Sequence, residues 1–177
     1  MNLTETLQDK KKLIQTIWID RTLDSYTSSG FFKKSLDNIA NPIGSNIRDG
    51  LSTILDLILQ DADPESYTQS LDQVVRIRAI QDFSPSLAVV PFLELKWVIR
   101  QVLNDSKKTM HLVQELADLD CKIDRLALAA FDKYMECREQ LYQVRISELK
   151  SGRYILTDSP CPSSLDGKKQ DDINKIN

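Results

Sequence analysis

The sequence is poor in the residue types on which metal sites and most catalytic centres depend. It contains one histidine, His111, and three cysteines, Cys121, Cys137 and Cys161, in 177 residues. A single histidine excludes a multi-histidine metal site, and no motif around it supports a Ser-His-Asp triad. The cysteines are far apart and lack Cys-x-x-Cys spacing, which argues against a disulfide framework or a structural zinc site. We therefore predict a protein that is not an enzyme and holds no metal or cofactor.

The sequence also lacks a net positive charge and long apolar runs. The 26 acidic residues outnumber the 23 basic ones, which gives a net charge of −3 and no basic field to hold nucleic acid. No apolar stretch approaches the roughly 20 residues that span a bilayer, and the polar N-terminus is unlike a secretory signal. We expect a cytoplasmic protein that neither binds nucleic acid nor inserts into a membrane.

Glycine and proline are few, with five and six residues, which favours long regular elements. Helical periodicity is present instead, and strand-like alternation is not. Leu7, Ile14 and Trp18 recur at helical spacing and predict one amphipathic first helix. Three pairs of a capping residue and a proline predict three helix starts, with the N-caps Asn41, Asp63 and Ser84. Gly44 and Gly50, in the helix after Asn41, predict close contact with another helix.

The two later helices differ in their apolar pattern. The one that follows Asp63 should run from about Pro64 to Asp82, with Gln81 on its inner side. The next should run from Pro85 to about Leu103 and is apolar on almost every side, which is typical of a central core helix. Pro91 in its middle predicts a kink, because proline removes one backbone hydrogen bond.

A very long helical stretch follows Asn104–Ser106 and extends to about Lys150. Its apolar positions alternate steps of three and four, as in a heptad seam with one stutter. Beyond Phe131 this seam is either the core stripe of an ordinary long helix or a projecting dimer seam or lever. The predicted fold is all-α: one helical domain over residues 1–150, with about five to seven helices and a long C-terminal helix, and a disordered polar tail over residues 151–177.

The most distinctive stretch runs from Arg76 to Ser86. Its candidate site residues are Arg76, Arg78, Gln81, Asp82 and Ser84. Arg78 and Asp82 are four residues apart and can pair on one helix face. The stretch is either a tight interhelical corner locked by polar bonds, or a small polar pocket where Arg76 or Arg78 meets an anionic ligand or a partner protein.

This stretch also carries a family resemblance. The sequence resembles the RsbRD-type N-terminal domain of co-antagonists of the kinase RsbT. The segments that match, in order along the chain, are Trp18 with Tyr26, Asn41-Pro42-Ile43-Gly44, the block from Arg76 to Ala88, and Leu95-Lys96. Within the block, the part Arg-Ile-Arg-Ala-Ile-Gln-Asp-Phe-Ser-Pro-Ser (76–86) is fairly specific. The likeness covers roughly residues 3–148. It implies an all-helical regulatory input domain of bacterial stress signalling, usually joined to an output module such as a STAS domain.

The resemblance also indicates which partners to expect. Since only a short polar tail follows Lys150, we expect no output domain on this chain and binding of a partner in trans. That partner would be a signalling kinase, a STAS protein or an enzyme complex, or else a small ligand or a second copy bound through the last helix. The alternatives are a ligand-free adaptor and a haem- or metal-binding sensor.

Overall fold

The computed structural model describes residues 2–34, 39–81 and 83–151. Two short 3₁₀ helices span Pro64–Tyr67 and Met110–Glu115. Within the described residues there are seven α-helices and no strand: α1 Leu3–Asp9, α2 Lys11–Asp24, α3 Ser29–Lys34, α4 Pro42–Leu59, α5 Thr68–Ile80, α6 Pro85–Asn104 and α7 Ala117–Ser151. The predicted all-α fold with a long C-terminal helix is confirmed. Asp82, Cys161 and the predicted tail from residue 152 onward lie outside the described residues.

The chain divides into two compact units, Met1–Glu139 and Gln140–Asn177. The first contains the hydrophobic core. Its centre is α4, which packs most extensively on α5, while α2 packs on α4 and α6. The fully buried residues include Trp18 from α2, Leu51 from α4, Val74 from α5 and Phe92 from α6, so every long helix before α7 contributes an apolar face to one core.

The helix starts differ in how their caps are built. The Asn41 side chain accepts a hydrogen bond from Gly44 N at 2.9 Å, and that of Ser84 accepts one from Leu87 N at 3.4 Å. Asp63 makes no side-chain cap, which corrects the expectation for that position. The chain there forms a 3₁₀ turn in which the Asp63 carbonyl accepts from Ser66 N, so the α-helix starts only at Thr68.

Three other helix predictions need correction. The expected first helix is two helices, broken at Lys10, although Leu7, Ile14 and Trp18 are all buried. Gln81 is exposed at the end of α5 and does not face inward. The last helix begins at Ala117, and the segment before it is a 3₁₀ helix that still buries Leu112. The spacing of apolar residues predicts which residues are buried. It does not predict where one helix ends and the next begins, because a helix break of one residue leaves that spacing nearly unchanged.

The α6 helix is not the fully buried core helix that its composition predicts. One face is buried and includes Phe92, Leu95 and Val98. A second apolar face is exposed and consists of Leu87, Val90, Leu93 and Trp97, each at least 39% exposed. The Arg21 guanidinium lies 4.2 Å from the centre of the Trp97 ring, so a cation–π contact covers part of this face.

Candidate functional site: the Arg78 corner and the grooves beside α7

Arg78 is fully buried at the junction of α2, α5 and α6. Its guanidinium lies 4.2 Å from the Phe83 ring centre and 5.0 Å from that of Tyr26. Nη2 donates to Leu87 O at 2.7 Å and to Ser25 Oγ at 3.1 Å. Nε and Nη1 make no hydrogen bond, and no carboxylate of the described residues pairs with the group. Burial therefore lowers the pKa of Arg78.

Pro91 explains why a buried arginine is needed at this corner. Proline has no N–H, so the carbonyl four residues earlier in a helix loses its donor. In α6 that carbonyl belongs to Leu87, and it accepts instead from Arg78 Nη2. The Pro91 carbonyl in turn accepts from Trp18 Nε1 at 2.7 Å. Two side chains from other helices thus bond to the α6 backbone around its proline, and of these two contacts the one from Arg78 replaces a donor that the proline lacks.

The other predicted site residues do not join Arg78. Arg76 is exposed on α5, where its guanidinium pairs with Asp72 at 3.1 Å, and this contact raises the pKa of Arg76. Gln81 and Ser84 are exposed at helix ends. The expected pair between Arg78 and Asp82 falls outside the described residues. The arrangement around Arg78 has the character of a packed interhelical corner.

Two grooves flank α7 within the first unit, and sequence reasoning did not find either. The first, called the α5–α7 groove, has a volume of about 540 Å³. It lies between the segment from Asp61 to Leu71 and one face of α7, whose wall comprises Lys122, Arg125, Leu126, Ala129, Asp132, Lys133 and Glu136. These positions recur at helical spacing, which places them on one side of α7.

The second, called the α6–α7 groove, is almost entirely apolar and has a volume of about 870 Å³. Its lining residues are Pro85, Ser86, Val89, Val90, Leu93, Asp124, Ala127, Leu128 and Phe131. Val90 and Leu93 of the exposed α6 face form part of one wall. In the sequence, the feature that indicates the α6–α7 groove is that α6 has more apolar residues than one buried face requires.

Polar side chains fasten α7 to the rest of the first unit. Arg100 forms a bidentate ion pair with Asp120, and Lys96 pairs with Asp124 at 2.5 Å. Near Glu139 the Tyr134 hydroxyl donates to Phe83 O, and Arg138 Nη1 donates to Ala79 O at 3.2 Å. The α7 backbone approaches the other helices less closely than α4 approaches α5. Side-chain contacts therefore hold α7, and grooves remain on both sides.

Several site types find no support in the part of the chain that the structure describes. No group of three or more histidine, cysteine, aspartate or glutamate side chains is arranged there to hold a metal ion. His111 is exposed, and Cys137 is buried on α7, where burial raises the pKa of its thiol. None of the helices described is long and apolar enough to cross a membrane.

Comparison with known proteins gives a relative and a family. An uncharacterized protein of Archaeoglobus fulgidus is 24% identical over 143 residues, which cover 79% of this chain and 84% of that protein. No solved structure matches the chain. The family model of the RsbT co-antagonist protein rsbRD N-terminal domain matches residues 15–149, which agrees with the motifs quoted above. The chain belongs to the RsbRD N-terminal domain family.

Proposed function

We propose that this chain is a non-catalytic regulatory domain of cytoplasmic signalling that binds a partner protein and transmits a signal through α7. Membership in the family named for the RsbT co-antagonist protein rsbRD supports the regulatory role. The observation that carries the role of α7 is its attachment by side-chain contacts between two open grooves. A ligand in either groove shifts α7 only if it binds two α7 positions unequally.

The second unit offers a surface for the partner. Its described part, residues 140–151, is helical and exposes Tyr142, Ile146 and Leu149, which are spaced by four and three residues. Residues at this spacing share one helix face. Ile146 is 42% and Leu149 is 64% exposed. An apolar helix face of this kind fits a hydrophobic groove on another protein.

The test compares two charge-matched double variants of the tagged full-length chain. Ile146→Glu with Leu149→Glu alters the apolar face, while Gln143→Glu with Ser147→Glu adds the same charge at exposed polar positions of the same helix. Affinity purification from the native cytoplasm with mass spectrometry should recover a signalling kinase or STAS protein with the wild type and the control pair. The apolar-face variant should lose it. Equal recovery by both variants would contradict the proposal.

A second candidate function is self-association through the same face. It is favoured by the apolar spacing of Tyr142, Ile146 and Leu149, since such a stripe can pair with its own copy. Sedimentation equilibrium of the same two variants tests this candidate. A dimer that dissociates only in the Ile146→Glu, Leu149→Glu variant would favour self-association, and a monomeric wild type would exclude it.

A further inference from the structure

We infer that the α5–α7 groove binds a small organic amine, with its apolar body on the groove floor and its ammonium group among the acidic side chains of the rim. The inference specifies the chemical class of the ligand that would act as the input signal. It rests on the proposed function only for the expectation that binding in this groove shifts α7. The groove volume of about 540 Å³ is within the range of small-molecule sites. The partner surface in the second unit plays no part in the argument.

The floor of the groove is apolar. Leu71, Leu126 and Tyr67 line it and are themselves buried, so they form a fixed surface and need no rearrangement to receive a ring or an alkyl chain. The Tyr67 hydroxyl donates to Ala62 O at 2.9 Å, which fixes the ring. Ala129 is an exposed residue in the α7 wall, and its small side chain leaves the space open.

The charges of the rim favour a cation. Four carboxylates and three basic groups line the groove, which gives a formal charge of −1. Two of the basic groups are occupied, since Lys122 pairs with Asp61 and Lys133 with Glu136. Neither the Asp63 nor the Asp132 carboxylate has a hydrogen-bond or ion-pair partner among the described residues. A polyanion such as a nucleotide would meet net repulsion.

Arg125 is the basic group of the rim without a partner in the described part of the chain. It is seven residues before Asp132 on α7, which separates their backbones by about 10 Å along the helix axis. Their backbones are therefore two helical turns apart, and we place the ammonium group beside Asp132 and away from Arg125. An anion preference controlled by Arg125 is the outcome that would contradict the amine assignment, so the test includes an acid probe.

The experiment titrates the full chain with three probes of similar shape: 2-phenylethylamine, 2-phenylethanol and 3-phenylpropanoate. Binding is followed by calorimetry and by ligand-observed NMR. We expect the amine to bind about threefold to fivefold more tightly than the alcohol, as one exposed ion pair allows, and the acid to bind most weakly. Asp132→Asn should reduce the preference for the amine over the alcohol.

A filling variant locates the site. Ala129→Phe should abolish binding of the amine, whereas Ala117→Phe, at another exposed alanine of α7 outside the groove, should leave binding unchanged. Absence of amine binding, an equal or higher affinity for the acid, or binding that survives Ala129→Phe would each overturn the inference. Amine binding in the groove without any change in partner recovery would support the inference about the ligand. The same result would contradict the proposal that the groove transmits a signal through α7.

Discussion

At the scale of single residues, the buried position of Arg78 is linked to Pro91. Because proline has no N–H, the Leu87 carbonyl lacks its helical donor and accepts a hydrogen bond from Arg78 instead. The sequence marks Arg78 as unusual and predicts Asp82 as its partner, because residues four apart share a helix face. The contact that the structure describes is with Leu87 O. Proline at position 91 already indicates from the sequence that this carbonyl lacks a donor. The sequence does not indicate which distant side chain supplies the donor, since that depends on how α5 meets α6.

A double-mutant cycle tests this pairing. Arg78→Met should leave Leu87 O without a donor, at a cost of about 1–3 kcal/mol. In a Pro91→Ala background the new N–H can bond that carbonyl, so the same Arg78→Met change should cost about 1 kcal/mol less. The desolvation of the guanidinium is common to both backgrounds and cancels in the cycle. Urea unfolding measures all four proteins, and additive effects would show that Arg78 does not substitute for the missing donor.

Two glycines with different surroundings test the packing of α4 on α5. A Cβ atom at Gly50 would lie 2.5 Å from Val74 Cγ2 and 3.2 Å from Ser70 O, whereas one at Gly30 would meet nothing within 4 Å. Gly50→Ala should therefore lower the free energy of unfolding by about 1–3 kcal/mol through overpacking, despite the better helix propensity of alanine. Gly30→Ala should raise it by up to about 1 kcal/mol. Thermal unfolding in which both variants shift the midpoint upward would contradict the close α4–α5 contact.

At the scale of elements, the sequence predicts where helices start better than which faces they bury. Proline after Asn41 and Ser84 fixes two starts, because its φ angle and missing donor suit the first turn. The same signal at Asp63 is followed by a 3₁₀ turn, since a local signal does not determine the hydrogen-bond register of the next turn. In α6 the apolar composition is visible in the sequence, but the packing partner of each face is a tertiary property.

Neighbouring leucines of α6 distinguish its two apolar faces. Leu95 is fully buried and Leu93 is 41% exposed. Leu95→Ala should lower the free energy of unfolding by about 2–5 kcal/mol, because it leaves a cavity in the core. Leu93→Ala should change it by about 0.5 kcal/mol. Guanidinium unfolding curves provide the measurement, and comparable losses in the two variants would mean that the exposed face of α6 is covered in solution.

At the scale of the whole molecule, the grooves depend on contacts that the sequence does not encode locally. The heptad-like spacing of the last helix predicts an inward seam whose members in α7 are Leu119, Ile123, Leu126, Ala130, Tyr134, Cys137, Leu141 and Val144. The five from Ile123 to Cys137 are buried, whereas Leu119 and Leu141 are only half-buried and Val144 is exposed. The spacing contains no information on how closely the helix approaches its neighbours. That distance follows from the long polar side chains, such as Arg100 and Lys96, that bridge to Asp120 and Asp124.

The exposed C-terminal part of α7 predicts a gradient of hydrogen exchange along the chain. Amides in α4, which surround Leu51 and Ile54 in the core, should exchange only through global unfolding. Amides after Gln140 should exchange through local opening, because most side chains there are exposed and little apolar contact opposes the opening. Mass spectrometry of exchanged peptides should therefore show protection in α4 that exceeds that of residues 141–151 by orders of magnitude.

Tyr134→Phe tests whether the polar contacts, rather than the apolar seam, limit the opening of α7. The change removes the donor to Phe83 O and keeps the ring in the core, at a cost of about 1 kcal/mol. Exchange should become faster by about fivefold near residues 130–139 and stay unchanged in α4. If exchange in α4 accelerates equally, the Tyr134 contact belongs to the global stability of the unit. Local acceleration alone would mean that α7 opens independently of the core, which is the property that a transmitting helix requires.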